Sequence, residues 1–206
     1  NRYIDKDIDL ANPRTATVRE IPNGTISAKN ALLFVILNSL LFIATTCFIN
    51  SLCFVLSPLA ILIILGYSYT KRFTALCHLV LGLGLSLAPL GAYLAVSGKF
   101  DFLPILFSIA VLFWVSGFDI IYALQDEEFD KAQKLHSMPV LLGRKKAMQL
   151  SKFLHFGTTL ALVFAGIKGD FFLYYWVGFS IFSTLLFCQH TLVKENDLGK
   201  VNLAFF

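Results

Sequence analysis

The stretch Leu103-Pro-Ile-Leu-Phe-Ser-Ile-Ala-Val-Leu-Phe-Trp-Val-Ser-Gly-Phe-Asp-Ile-Ile-Tyr122 decides the class of this protein. It holds one charge, Asp119, near its end. About 20 mostly apolar residues suffice for a helix to cross the roughly 30 Å hydrocarbon core of a bilayer. Five further stretches read the same way: 31–49, 52–66, 75–96, 150–167 and 171–193. The composition agrees. Of 206 residues, 57% are hydrophobic, 15% aromatic and 15% charged, against about 25% charged in a soluble domain. A soluble globular domain, a disordered chain and a disulfide scaffold are thereby excluded, and an all-α integral membrane bundle is expected.

Connections 50–51, 97–102 and 168–170 alternate with 67–74, 123–149 and 194–200, so six crossings put both ends on one face. Fifteen of the 17 Lys and Arg fall on the face carrying residues 1–30, and only Lys99 and Lys168 on the other. The positive-inside rule makes the fifteen-charge face cytoplasmic. The net charge of +4 is therefore a topology signal, not a nucleic-acid footprint. Cys47, Cys53, Cys77 and Cys188 lie singly in or beside apolar spans and form no CxxC pair. They read as small packing residues, and His78, His155 and His190 as polar contacts inside the bundle.

The acidic residues gather in two places on the charged face. One segment reads Asn1-x3-Asp5-x3-Asp9, the other Tyr122-x3-Asp126-x3-Asp130. Residues four apart stack on one helix face, so each segment presents a row of two carboxylates. Asp119, seven residues before Asp126, extends the second row toward the membrane. Charges about 4 Å apart repel by roughly 4 kcal/mol at an effective dielectric near 20, so a cation between the rows is expected. Mg²⁺ takes hard oxygen ligands and is usually held by one or two carboxylates plus substrate phosphates. Asn1, Asp5, Asp9, Asp126 and Asp130 are thus candidate metal ligands for a bound diphosphate. Arg14, Arg19, Lys131 and Lys134 flank the rows, and Lys71 and Arg72 lie in the connection Tyr67-Ser-Tyr-Thr-Lys71-Arg72. Arg grips phosphate with two parallel hydrogen bonds and Lys acts as a point charge. Lys134 reads as a topology charge, whereas Lys71, Arg72, Arg14, Arg19 and Lys131 are diphosphate-binding candidates. Some of the 21 Phe, 7 Tyr and 2 Trp, Trp114 and Trp176, could line an isoprenoid channel or face a carbocation.

These segments resemble the UbiA superfamily of intramembrane prenyltransferases. Asn1 to Thr15, followed by Arg19, is similar to its first motif, NDxxDxxxD then RT and Arg. Tyr67 to Arg72 is similar to a middle YxxxKR, and Tyr122 to Asp130 to a second motif, YxxxDxxxD. Arg2 stands where the family often has Asp, and Arg14 and Arg19 are five apart where four is usual. The NRxxDxxxDxxNPRT variant and the run Ala75 to Gly84 resemble the 4-hydroxybenzoate polyprenyltransferase branch, including members linked to menaquinone formation by the futalosine route.

The resemblance implies a nine-helix bundle, of which this chain, one prenyltransferase domain over 1–206, would be a fragment with about six complete spans, truncated at both ends. It implies Mg²⁺-dependent transfer of a polyprenyl group from its diphosphate to an aromatic acid in quinone biosynthesis. The implied setting is a bacterial inner membrane, with the active site cytoplasmic and no nucleic-acid partner. Asp126, Asp119, Lys71 and Tyr122 are the expected catalytic residues. Asp126 or Asp119 would orient the acceptor, and Tyr122 or Tyr67 would meet the cation or leaving group. Sibling enzymes using dihydroxynaphthoate or haem remain open. A CDP-alcohol phosphotransferase needs a DG pair that does not occur here. A transporter should carry charges at mid-membrane, and the spans carry none except Asp119 and Lys152 near helix ends.

Overall fold

Each apolar stretch folds as one long helix, because in hydrocarbon every backbone N–H and C=O must find a partner within the segment. The structure, a computed structural model, describes residues 1–194 and 197–205. Glu195 and Asn196, in the connection read as 194–200, and Phe206 lie outside the described residues. The long helices are α2 (Ala28–Ile49), α3 (Ser51–Thr70), α4 (Cys77–Ser97), α5 (Phe102–Ala123), α8 (Arg144–Lys168) and α9 (Leu173–Leu192). Short helices α1 (Lys6–Ala11), α6 (Glu127–Ala132) and α7 (Met138–Leu142) serve the charged face. Four of the six boundaries read from the sequence run a few residues short, since hydropathy fades before a helix does.

Five of the long helices have the length and hydropathy to cross a bilayer. The sixth, α9, has 20 residues but falls below that hydropathy, because Tyr174, Tyr175, Gln189 and His190 dilute it. Local signals set the helix starts. The Ser27 side chain accepts from Asn30 N–H, Asn50 from Cys53 N–H at 2.8 Å, and Asp101 from Leu103 N–H, each supplying an acceptor for an orphan N-terminal donor. Gly98 ends α4 with φ of 64°, a left-handed conformation that glycine adopts without strain.

The bundle is tightest along α4, α5 and α8. A Cβ at Gly82 on α4 would lie 2.2 Å from Ser116 Oγ on α5, and one at Gly117 on α5 would lie 2.5 Å from the His155 ring on α8. The Ser151 hydroxyl donates to Gly117 C=O at 2.7 Å. Small residues let membrane helices approach closely enough for dispersion and interhelical hydrogen bonds to hold them. At the charged end the fully buried Ile120, Ile121 and Leu124 pack with Met138, Ala147 and Val193. This plug anchors the α5 end, so the acids that follow have a fixed base. All four cysteines are free, and Cys77 is buried.

Candidate functional site

The first acidic segment is helical before α1 formally begins. Asp5 N–H bonds Asn1 C=O at 2.9 Å and Asp9 N–H bonds Asp5 C=O at 2.8 Å. Asn1, Asp5 and Asp9 therefore share one face, and all three line a cavity of about 220 Å³. From the other half of the chain, Asp119, Tyr122 and Asp126 line the same cavity, with Arg14, Arg19, Tyr67 and Lys71. Two segments separated by more than a hundred residues thus converge on one polar chamber.

Asp126 is held most firmly. The Arg14 guanidinium donates through Nε to Asp126 Oδ1 at 2.9 Å and through Nη2 to Oδ2, while Nη1 donates to the Tyr122 hydroxyl at 2.8 Å. Arg14 also lies over the Tyr122 ring, 4.9 Å from its centre. Such a planar fork fixes direction as well as charge. Asn12 completes the clamp. Its amide donates to Asp126 Oδ1 at 3.0 Å, and its carbonyl oxygen accepts from Arg14 N–H at 3.0 Å.

Asp130 stands apart from the chamber. It is fully buried and pairs with Lys71 Nζ at 2.8 Å. Leu124–Asp126 forms a 3₁₀ turn before α6 starts at Glu127, so the second row does not continue the α5 face. Asp126 looks into the cavity while Asp130 packs beneath it. Among the diphosphate-binding candidates, Arg14, Arg19 and Lys71 line the chamber and two do not. Arg72 donates to Ile4 C=O at 2.7 Å and lies over Tyr69. Lys131 pairs with Glu127, which also binds Arg144 at 2.6 Å. Glu127, four residues before Lys131, and the Ile4 carbonyl, 68 positions before Arg72, engage these two cations, which spacing alone did not disclose.

Two functional contacts had no clear sequence signal. His78, read as a bundle contact, binds Asp119 at 2.6 Å between Nδ1 and Oδ2. Met138 N–H donates to the other ring nitrogen, Nε2, at 3.2 Å. His78 and Asp119 both line the chamber. Their partnership spans 41 positions. Asn12 had a weak signal in Asn-Pro, a turn former whose side chain bonds the backbone two residues on.

Charge accounting then separates the acids. Arg14 neutralises Asp126, Lys71 neutralises Asp130, and His78 holds Asp119. Among the described residues no Lys, Arg or His forms a close ion pair with Asp5 or Asp9. Burial, and then Asp9, push the Asp5 carboxyl up to about 6, and burial raises Asp9 as well. Crowded, partly desolvated carboxylates of this kind fit a divalent cation with oxygen ligands. Among the described residues no three His, Cys, Asp or Glu side chains form a ready cage.

The model of the UbiA prenyltransferase family matches residues 1–206. A 4-hydroxybenzoate octaprenyltransferase of Francisella tularensis subsp. mediasiatica is 32% identical over 205 residues, covering 100% of this chain and 72% of that protein. The enzyme of the same name from Tolumonas auensis is 29% identical, over 71% of its length. The apo structure of a UbiA homolog from Aeropyrum pernix K1 superposes with a TM-score of 0.90 at 31% identity, over 99% of this chain and 76% of that one. A UbiA homolog from Archaeoglobus fulgidus, bound to GPP and Mg2+, shares the fold with a TM-score of 0.68 at 23% identity, over 99% of this chain and 76% of that one.

Proposed function

This chain belongs to the UbiA prenyltransferase family, and from that membership we propose that it moves a polyprenyl group from polyprenyl diphosphate onto the ring of a 4-hydroxybenzoate-like aromatic acid, a step of quinone biosynthesis, in a bacterial inner membrane with the chamber on the cytoplasmic side. The observation that carries this reading is the convergence of Asp5, Asp9, Asp119 and Asp126 with Arg14 and Lys71 on one chamber. Full-length 4-hydroxybenzoate relatives and the neighbour bound to GPP and Mg2+ support the substrate pair. Family membership also sets aside the transporter and phosphotransferase readings.

Asp5 and Asp9, with Asn1 beside them, are the residues that would hold Mg²⁺, and Asp126 faces them across the chamber. When bound, the ion supplies Lewis-acid neutralisation of the diphosphate oxygens. Arg19 presents positive charge where the leaving diphosphate gathers it, as electrostatic stabilisation requires, beside Lys71 and Arg14, which Asp130 and Asp126 hold at the chamber wall. The carbon–oxygen bond to the diphosphate breaks and its electron pair leaves with the diphosphate. The allylic cation that remains is shielded from water by the apolar bundle, with the rings of Tyr67 and Tyr122 at the chamber wall able to face it. The carbon beside the phenol oxygen of the acceptor forms the new bond, and its ring proton passes to the released diphosphate as aromaticity is restored. Asp119, steadied by His78, accepts a hydrogen bond from that phenol and raises the electron density of the ring.

The test is transfer by the purified protein in lipid, with polyprenyl diphosphate and, separately, 4-hydroxybenzoate, dihydroxynaphthoate and a futalosine-route aromatic acid. Prenylated 4-hydroxybenzoate formed with Mg²⁺ and abolished by chelation is expected. Product from dihydroxynaphthoate alone would move the chain to a sibling reaction. Undiminished transfer by Asp126→Ala would remove that residue from the mechanism.

A further inference from the structure

A second polar centre lies between α8 and α9 and shares no lining residue with the acidic chamber. Two adjoining recesses, of about 540 and 410 Å³, have Lys152, His190 and Thr191 in common. Phe156 and Phe187 wall the first, and Lys145 and Lys194 join Lys152 at the second. Among the described residues no carboxylate pairs with any of the three lysines. An apolar wall thus meets a cationic rim at the charged end of two membrane helices.

The histidines show which way the polar groups point. His155 Nε2 lies 3.1 Å from the Trp114 carbonyl oxygen, an acceptor only, so that nitrogen carries the proton. His155 Nδ1 is then the acceptor for His190 Nε2–H, 2.8 Å away. Every contact in this relay is satisfied except its outer end. His190 Nδ1 is buried and has no partner among the described residues. Its ring lines both recesses. The three lysines grouped around this open ring suit an oxyanion.

We infer that this groove binds an anionic phospholipid, with its phosphate against Lys152 and Lys194 and an acyl chain along Phe156 and Phe187. The amphipathic lining selects a lipid over a free anion, because a soluble phosphate leaves the phenylalanine wall unused. Basic pockets between transmembrane helices on the positive face favour anionic headgroups. The inference is independent of the prenyl-transfer reaction.

The test uses the purified chain in neutral detergent, titrated with phosphatidylglycerol, phosphatidylcholine or inorganic phosphate. Bound lipid is counted by native mass spectrometry, and stability is followed by thermal melting. Phosphatidylglycerol should bind at defined stoichiometry and raise the melting temperature, with phosphatidylcholine and phosphate well behind. Lys152→Gln and Lys194→Gln should each weaken phosphatidylglycerol binding roughly fivefold. Lys29→Gln, on the same face outside the groove, should not. Equal response to phosphatidylcholine, full response to phosphate, equal weakening by Lys29→Gln, or unchanged binding by the Lys152→Gln/Lys194→Gln pair would each overturn the inference.

Discussion

His78 on α4 holds Asp119 on the adjoining helix α5 at 2.6 Å. The Met138 amide fixes the ring by donating to Nε2 at 3.2 Å, so Nδ1 bears the hydrogen that Asp119 accepts. A lone His on an apolar helix thereby becomes the orienter of a carboxylate that lines the chamber.

The two ring nitrogens can be tested apart. In His78→Asn the short amide puts a donor near the Nδ1 position and loses the acceptor for Met138. His78→Gln does the reverse. If orientation of Asp119 is what matters, His78→Asn keeps the KM for the aromatic acid near wild type, whereas His78→Gln raises it roughly tenfold or more, as loss of a hydrogen bond to a charged group implies. The KM for polyprenyl diphosphate should stay constant in both. A uniform loss of folded protein in both variants would mean that His78 is structural only.

Arg14 is the second target. Its fork grips both oxygens of Asp126 and also reaches Tyr122. Lysine supplies charge without the planar geometry. Arg14→Lys should lower kcat/KM roughly thirtyfold, the equivalent of about 2 kcal/mol for a lost charge-assisted bond, measured by steady-state transfer at saturating Mg²⁺. Arg72→Lys, whose guanidinium lies outside the chamber, should stay within about threefold, since exposed polar contacts contribute little.

The parts of this architecture that were legible in sequence are those written locally. Hydropathy over about 20 residues is enough to place a span, and i, i+4 spacing is enough to place Asp5 beside Asp9. What was not legible depends on partners far along the chain. The clamp of Asn12 on Asp126 crosses 114 positions, and Asp130 falls out of the chamber because a 3₁₀ turn intervenes at Leu124–Asp126. Arg72 has the right charge in the right loop, yet the Ile4 carbonyl, 68 positions away, claims it. α9 has helical length without full hydropathy because its last turns carry Gln189 and His190.

Packing of α5 on α8 gives a stability prediction. A methyl at Gly117 would meet the His155 ring at 2.5 Å and Ser151 C=O at 3.1 Å. The ring is buried and bonded to both Trp114 and His190, so it has little room to retreat. Gly117→Ala should destabilise by about 1–3 kcal/mol, the usual range for overpacking. Gly91→Ala, on α4 with open space around the added carbon, should be neutral or stabilising by up to about 1 kcal/mol. Thermal or denaturant unfolding of both variants in the same detergent checks the contrast.

The pH response of metal binding follows from Asp5. Its carboxyl is pushed up to about 6 from 3.8, chiefly by burial and next by Asp9. A carboxyl whose folded pKa is raised is harder to ionise in the folded state, so its ionisation destabilises the fold. That burden is absent below about pH 4, grows between 4 and 6, and is complete above 6. Mg²⁺ binds the ionised form and competes with the proton. Above pH 6 the ion should therefore raise the melting temperature. Between pH 6 and 4 its apparent affinity should fall by up to about tenfold per pH unit, the slope for one displaced proton. Asp5→Asn should raise the melting temperature of the Mg²⁺-free protein at pH 8, leave it unchanged at pH 4, and abolish most of the Mg²⁺ response at both. Melting curves with and without Mg²⁺ at pH 4, 6 and 8 measure all three. A Mg²⁺ response of equal size in Asp5→Asn would place the ion elsewhere in the chamber.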